Sequence, residues 1–155
     1  MSGIVLAVIG AAMAAVFGGA GSSIGIGKAG AKGAGVLAEK PNLFGKILVL
    51  SALPGSQGVY GLLIAIFILF KIGMFGTPAD VSVEAGQQLM WAGILMGLAG
   101  LFSGWFQGGV VASGIGAMAR DESLTGKAIV LAVVVETYAI FGLLVALLIS
   151  NAVVV

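Results

Sequence analysis

Four apolar stretches, at about residues 4–38, 43–71, 88–119 and 125–153, leave this chain few ways to fold. Each is near or above the roughly 20 residues an α-helix needs to cross the hydrocarbon core of a bilayer. The short polar segments EKPN, GTPADVSVEAG and RDESLT separate them. Of the 155 residues, 60% are hydrophobic and 8% charged, and the mean hydropathy is +1.21. The expected fold is an all-α integral membrane protein with four transmembrane helices. No basic n-region or A-x-A-like cleavage site marks the first stretch as a removable signal. Without cysteine or histidine there is no disulfide framework, zinc site or imidazole base. A net charge of +1 implies no nucleic-acid partner.

Charge placement orients the spans. Lys28, Lys32, Lys40, Lys46, Arg120 and Lys127 lie in or near the first and third connections, and only Lys71 lies elsewhere. By the positive-inside rule those two connections are cytoplasmic, so both termini and the 72–87 segment lie outside.

Sliding the segment 22–63 onto 103–144 aligns the two halves of the chain without a gap. Ser22 meets Ser103, Gly27 meets Gly108, and Gly33 and Gly35 meet Gly114 and Gly116. Gly45-Lys46 meets Gly126-Lys127, and Gly61-Leu62-Leu63 meets Gly142-Leu143-Leu144. The organisation read from this is a first helical hairpin at 1–76, an external linker at 77–87 and a second hairpin at 88–155. Both hairpins point the same way, unlike the inverted repeats of many transporters. Such a parallel duplication suits a ring once closed by single hairpins and now by fused pairs. GGAGSSIGIGKAGAKGAG (18–35) puts Gly or Ala on nearly every turn, so helix backbones can approach closely. The repeat fails at one informative place: Glu136 aligns with Gly55.

Glu136 stands inside AVVVETYAIFG (132–142), where a charged carboxylate costs roughly 3 kcal/mol on insertion scales. It therefore shares that cost with partners or is used. Around Gly55 the sequence reads LPGSQGVYG, in which Leu53, Ser56, Gln57 and Tyr60 fall on one helical face. Pro54 donates no N–H and crowds the preceding turn, so a nearby carbonyl is expected to leave the helical ladder. Gln107 is the one amide inside LFSGWFQGGVV. Depth is counted from the cytoplasmic connections: from Leu43 to Gln57, from Ala119 back to Gln107, and from Leu124 to Glu136. At a helical rise of about 1.5 Å per residue these three depths agree within one turn. Oxygen ligands around one negative charge suit a hard monovalent cation. A proton carrier needs only a carboxyl in an apolar setting, and interhelical hydrogen-bond glue is the bland alternative. The surplus of oxygens at one level favours sodium.

Two other motifs are weaker. GIGKAG (25–30) fits G-x-G-x-x-G, but it follows no strand and lies within an apolar helix, where helix packing explains it. Gly27-Lys28 is followed by Ala29, so no Walker A loop exists and this chain hydrolyses no nucleotide by itself. Lys28 and Lys32 are expected near the cytoplasmic interface, and Trp91 and Trp105 receive no role.

LPGSQGVYG, FSGWFQGG and VVVETYAIFG, together with the duplicated hairpin, resemble the K subunits (proteolipids, or duplicated c-type rotor subunits) of bacterial and archaeal V/A-type rotary ATPases. The resemblance covers nearly the whole chain. It implies a non-catalytic member of a homo-oligomeric membrane ring that turns against a stator with a basic residue. It also implies cytoplasmic central-stalk subunits, for which loops 39–46 and 120–127 are the natural contacts. In the sodium type of the family, the ion ligands correspond to the Leu53 backbone carbonyl, Ser56, Gln57, Gln107 and Glu136. Tyr60 corresponds to a tyrosine that hydrogen-bonds the glutamate. Ser56 departs from the threonine of that type but keeps the hydroxyl. Na⁺ is the cargo this implies, with H⁺ the alternative. The glycine-rich first and third helices are expected on the inner circle of the ring, the second and fourth on the outer one. A four-helix pore or transporter and a purely structural ring are the competing classes.

Overall fold

The structure, a computed structural model, describes residues 1–77 and 79–155. Among the described residues it is all-helical: α1 (Gly3–Glu39), α2 (Phe44–Ala52), α3 (Ser56–Lys71), α4 (Val83–Arg120) and α5 (Thr125–Ala152). Short 3₁₀ turns at Pro41–Leu43 and Glu122–Leu124 join the helices of each half and occupy equivalent places in the repeat. A third, Leu53–Gly55, separates α2 from α3. Taken with that turn, α2 and α3 form one of four spans long and apolar enough to cross a membrane.

Pro54 interrupts the second span with a 3₁₀ turn, at the place where the sequence expects the helical ladder to be disturbed. One boundary differs from the sequence reading. α4 begins at Val83 rather than near 88, so the last residues of the expected 77–87 linker are helical. Ser82 starts that helix: its hydroxyl accepts the Ala85 N–H at 3.1 Å, and Glu84 sits in the first turn where a negative charge faces the helix dipole.

α1 and α4 share the most extensive contact, with α3 packed on α1 and α5 on α4. The reason is the glycine stripe. A Cβ built on Gly25 would strike the Gly104 carbonyl, and one on Gly108 would strike the Gly25 backbone. The Gly21–Gly104 and Gly25–Gly108 contacts run in the same order along both helices, so α1 and α4 are parallel. With no side chains between them, the backbones touch directly. α3 docks on α1 in the same manner, at Gly61 and Gly18. α1 and α4 thus form a central pair flanked by the other spans.

The core divides in two. Toward the chain termini, Ala7, Ala11, Ile64, Ile68, Leu89 and Met96 form one apolar cluster. Toward the α1–α2 and α4–α5 connections, Leu43, Ile47, Leu50, Val111, Ile115 and Met118 form another. Between them lies a layer of buried polar side chains: Ser22, Gln57, Ser103 and Gln107. The outer surface is apolar, with Phe70, Phe102, Phe106, Trp91 and Leu148 all exposed, the inverse of a water-soluble protein.

The connections close one end of the bundle. The Lys46 ammonium meets the Glu122 carboxylate at 2.5 Å, and Lys40 donates to the Ala119 carbonyl at 2.6 Å. Asp121 accepts the Ser123 N–H at 2.9 Å, and these contacts from Ser123 hold its carboxyl below the usual carboxylate range. At the opposite end Lys71 donates to the Asn151 carbonyl. Lys28 extends over Trp105, its Nζ 4.8 Å from the ring centroid and 3.2 Å from that residue's carbonyl oxygen.

Gly27 and Gly108 are equivalent in the repeat, but only Gly108 faces backbone; nothing lies near a Cβ at Gly27. Gly108→Ala is therefore expected to cost about 1–3 kcal/mol by forcing α1 and α4 apart. Gly27→Ala should stay within about 0.5 kcal/mol of the parent. Thermal melting of the detergent-solubilised protein compares the two directly.

Candidate functional site

The polar layer is built around the break in the second span. Pro54 has no N–H to offer the Leu50 carbonyl, so the Leu53 N–H takes that carbonyl instead and the turn tightens. Further along, the Ser56 N–H closes onto the Leu53 carbonyl, and the Ser56 hydroxyl adds a second bond to it at 3.2 Å. The Leu53 carbonyl, expected to be freed, thus carries two donors from Ser56. The second half repeats the hydroxyl bond within an unbroken helix: Thr137, the repeat equivalent of Ser56, donates to the Val134 carbonyl at 2.7 Å.

After the tightened turn, α3 sends Gln57 inward to full burial, where it meets the equally buried Gln107 of α4. Gln57 Nε2 donates to Gln107 Oε1 at 2.7 Å and to Ser103 Oγ at 3.1 Å. Gln107 Nε2 in turn donates to the Ala132 carbonyl at 3.1 Å and to Glu136 Oε2 at 3.3 Å. Tyr60, one turn beyond Gln57, donates its phenol to Glu136 Oε1 at 2.7 Å. Each oxygen of the half-buried carboxylate therefore has one donor, from two different helices.

Four of the sequence-derived residues, Gln57, Tyr60, Gln107 and Glu136, thus form one continuous hydrogen-bonded network. Leu53 and Ser56 sit on the adjoining turn and bond to each other. Two residues were missed. Ser103 accepts from Gln57 and donates to the Val135 carbonyl at 3.1 Å, and Ser22 accepts the Gly58 N–H at 2.7 Å. They are the repeat pair Ser22/Ser103, and their shared register inside the glycine stripe was the available signal.

One acceptor in the layer is left over. Gln57 Oε1 is buried with no hydrogen-bond partner. An unpaired buried acceptor costs about 1–3 kcal/mol, and its chemistry fits a cation as well as a donor. Among the described residues no three His, Cys, Asp or Glu side chains cluster as a metal cage. One carboxylate amid neutral oxygens fits a single positive charge, a monovalent cation or a proton, rather than a divalent one.

The Gln57–Gln107 bond makes a prediction about coupling. Gln57→Leu and Gln107→Leu should each destabilise by about 1–3 kcal/mol, because each strands the partner amide in an apolar layer. The double variant should cost clearly less than the sum. A double-mutant cycle on thermal melting measures the difference, and strict additivity would contradict the network.

Comparison with known proteins follows the internal repeat. The family model for the C subunit of ATP synthase matches twice, over residues 9–68 and 90–149, two segments in the same register as the sequence repeat. The A-type ATP synthase subunit K of Methanocaldococcus jannaschii is 48% identical over 94% of this chain, which spans 61% of that protein's length. The V-type sodium ATPase subunit K of Enterococcus hirae is 40% identical over 97% of this chain and 94% of its own. The 16 kDa proteolipid of the human V-type proton ATPase is 29% identical over 94% of this chain and 90% of its own. A family match on both hairpins, at the spacing the sequence repeat requires, makes this chain a duplicated member of the ATP synthase C-subunit family.

Proposed function

We propose that this chain is the rotor-ring subunit of a V/A-type rotary ATPase and that each copy carries one Na⁺ at Glu136. The observation that carries the sodium reading is the unpaired, fully buried Gln57 Oε1 beside the Gln107–Glu136–Tyr60 network. A proton would leave that oxygen without purpose; a sodium ion uses it. The similarity to a sodium ATPase subunit K supports the same choice. Gln57 Oε1, Gln107 Oε1 and Glu136 supply the inner ligands. Rotating the Ser56 hydroxyl off the Leu53 carbonyl adds two more oxygens from the adjoining turn, that hydroxyl and that carbonyl.

The mechanism follows from electrostatics. With Na⁺ bound the carboxylate is neutralised, so the outer face of α3 and α5 passes through lipid without exposing a charge. Opposite the stator, a basic side chain competes for Glu136 and the ion leaves. The emptied carboxylate takes a new ion from the other side before returning to lipid. ATP hydrolysed by cytoplasmic subunits turns the ring through a central stalk, and ion flow drives the reverse. Identical head-to-tail contacts close such a ring. The basic loops 39–46 and 120–127 lie on the cytoplasmic side, available to the stalk, and both termini lie outside.

Dicyclohexylcarbodiimide modifies a protonated buried carboxyl. Added Na⁺ should protect Glu136 from it near neutral pH, and protection that never develops would assign the site to protons. Glu136→Gln is expected to leave the ring assembled while abolishing ATP-driven ion transport. A ring that falls apart while residual transport persists would instead make Glu136 assembly glue.

A further inference from the structure

A primary amide buried among polar groups has two near-isosteric orientations, and only one turns the Gln57 oxygen toward an ion. The orientation must therefore be imposed by the neighbours of its nitrogen. Gln107 Oε1 is one of them at 2.7 Å, turned that way because the Gln107 nitrogen donates to the Ala132 carbonyl and to Glu136. Ser103 Oγ at 3.1 Å is the other, and it differs in kind. A hydroxyl has one proton, and that of Ser103 is spent on the Val135 carbonyl at 3.1 Å. Toward Gln57 it offers lone pairs alone, so the amide must present its NH₂ there and its oxygen elsewhere. The serine is 5% exposed.

The backbone beneath the same amide is held in a matching way. Ser22, the repeat equivalent of Ser103, reaches from α1 and accepts the Gly58 N–H at 2.7 Å. The two halves of the duplication thus grip consecutive residues of the broken span, one by its side chain and one by its backbone.

We propose that Ser103 is a positioning residue of the ion site: with Gln107 it holds the orientation of the Gln57 amide and so raises sodium affinity without touching the ion. The proposal rests on the sodium reading above. It also makes Ser103 a link between α4 and α5, because the carbonyl it holds belongs to the residue before Glu136.

The test is carbodiimide labelling of Glu136 in the assembled ring, titrated with NaCl. Ser103→Ala should raise the Na⁺ concentration giving half-protection about tenfold, the change expected from one hydrogen bond of about 1.4 kcal/mol. Labelling without Na⁺ should be unchanged, because the donors to Glu136, Tyr60 and Gln107, are untouched. Ser103→Thr keeps the hydroxyl and should restore protection to near the parent value. Ser113→Ala, at an exposed serine of the same helix, should match the parent. Coincident parent and Ser103→Ala curves would overturn the proposal. So would equal impairment in the threonine variant, or failure of both Ser103 variants to form a ring, since each makes the role one of packing. A parent ring that Na⁺ never protects sinks the sodium reading on the parent curve alone, and the positioning role with it.

Discussion

Direct backbone contact between α1 and α4 is the constraint on which the remaining architecture depends. Large side chains along that seam would keep the helices apart. The glycines at Gly21, Gly25, Gly104 and Gly108 remove the barrier, so van der Waals contact between main chains takes the place of a hydrophobic driving force that lipid cannot supply. The close approach also sets lateral distances elsewhere. α3 settles against Gly18 through Gly61, which brings Gln57 within hydrogen-bonding reach of Gln107 and Ser103 on α4. Without the thin α1–α4 seam, the polar layer would not close.

That layer is an energetic liability converted into a site. Hydrocarbon offers no water to an amide or a carboxylate, so every donor and acceptor placed there must find a protein partner or a cargo. The network satisfies Gln107 and both oxygens of Glu136, and leaves the single oxygen of Gln57 over. Apolar clusters on either side confine the polar groups to one level of the bilayer.

Duplication followed by divergence explains why the chain carries one carboxylate in its polar layer. In the repeat register Glu136 corresponds to Gly55, Gln57 to Tyr138 and Gln107 to Ile26. The hydroxyl-to-carbonyl bond survives in both halves, at Ser56–Leu53 and Thr137–Val134. That local bond has been kept where the ionisable chemistry and the backbone have diverged, since α5 runs without the 3₁₀ turn found at Leu53–Gly55. The same divergence shows in packing: Gly27 and Gly108 are equivalent in sequence, but only the second meets another backbone.

Much of this was legible in the sequence because its signals are one-dimensional. Hydropathy over about 20 residues defines a span, and a fixed rise per residue turns distance from a loop into depth. Those two rules determined four spans and the common level of Gln57, Gln107 and Glu136, and the gapless repeat with its basic loops determined a parallel duplication. Helical spacing also placed Tyr60 on the face of Gln57. The tertiary structure decided what lies sideways: which atom of each amide donates, that the Leu53 carbonyl is taken by Ser56, and that Ser103 and Ser22 grip the broken span. Those facts depend on azimuth and on partners contributed by other helices, which rise and periodicity do not encode. The early start of α4 at Val83 was decided by the Ser82 cap, inside a segment too polar to extend the apolar stretch. A sequence sets how deep a residue lies and which stripe it shares; only packed neighbours determine where its hydrogen bonds go.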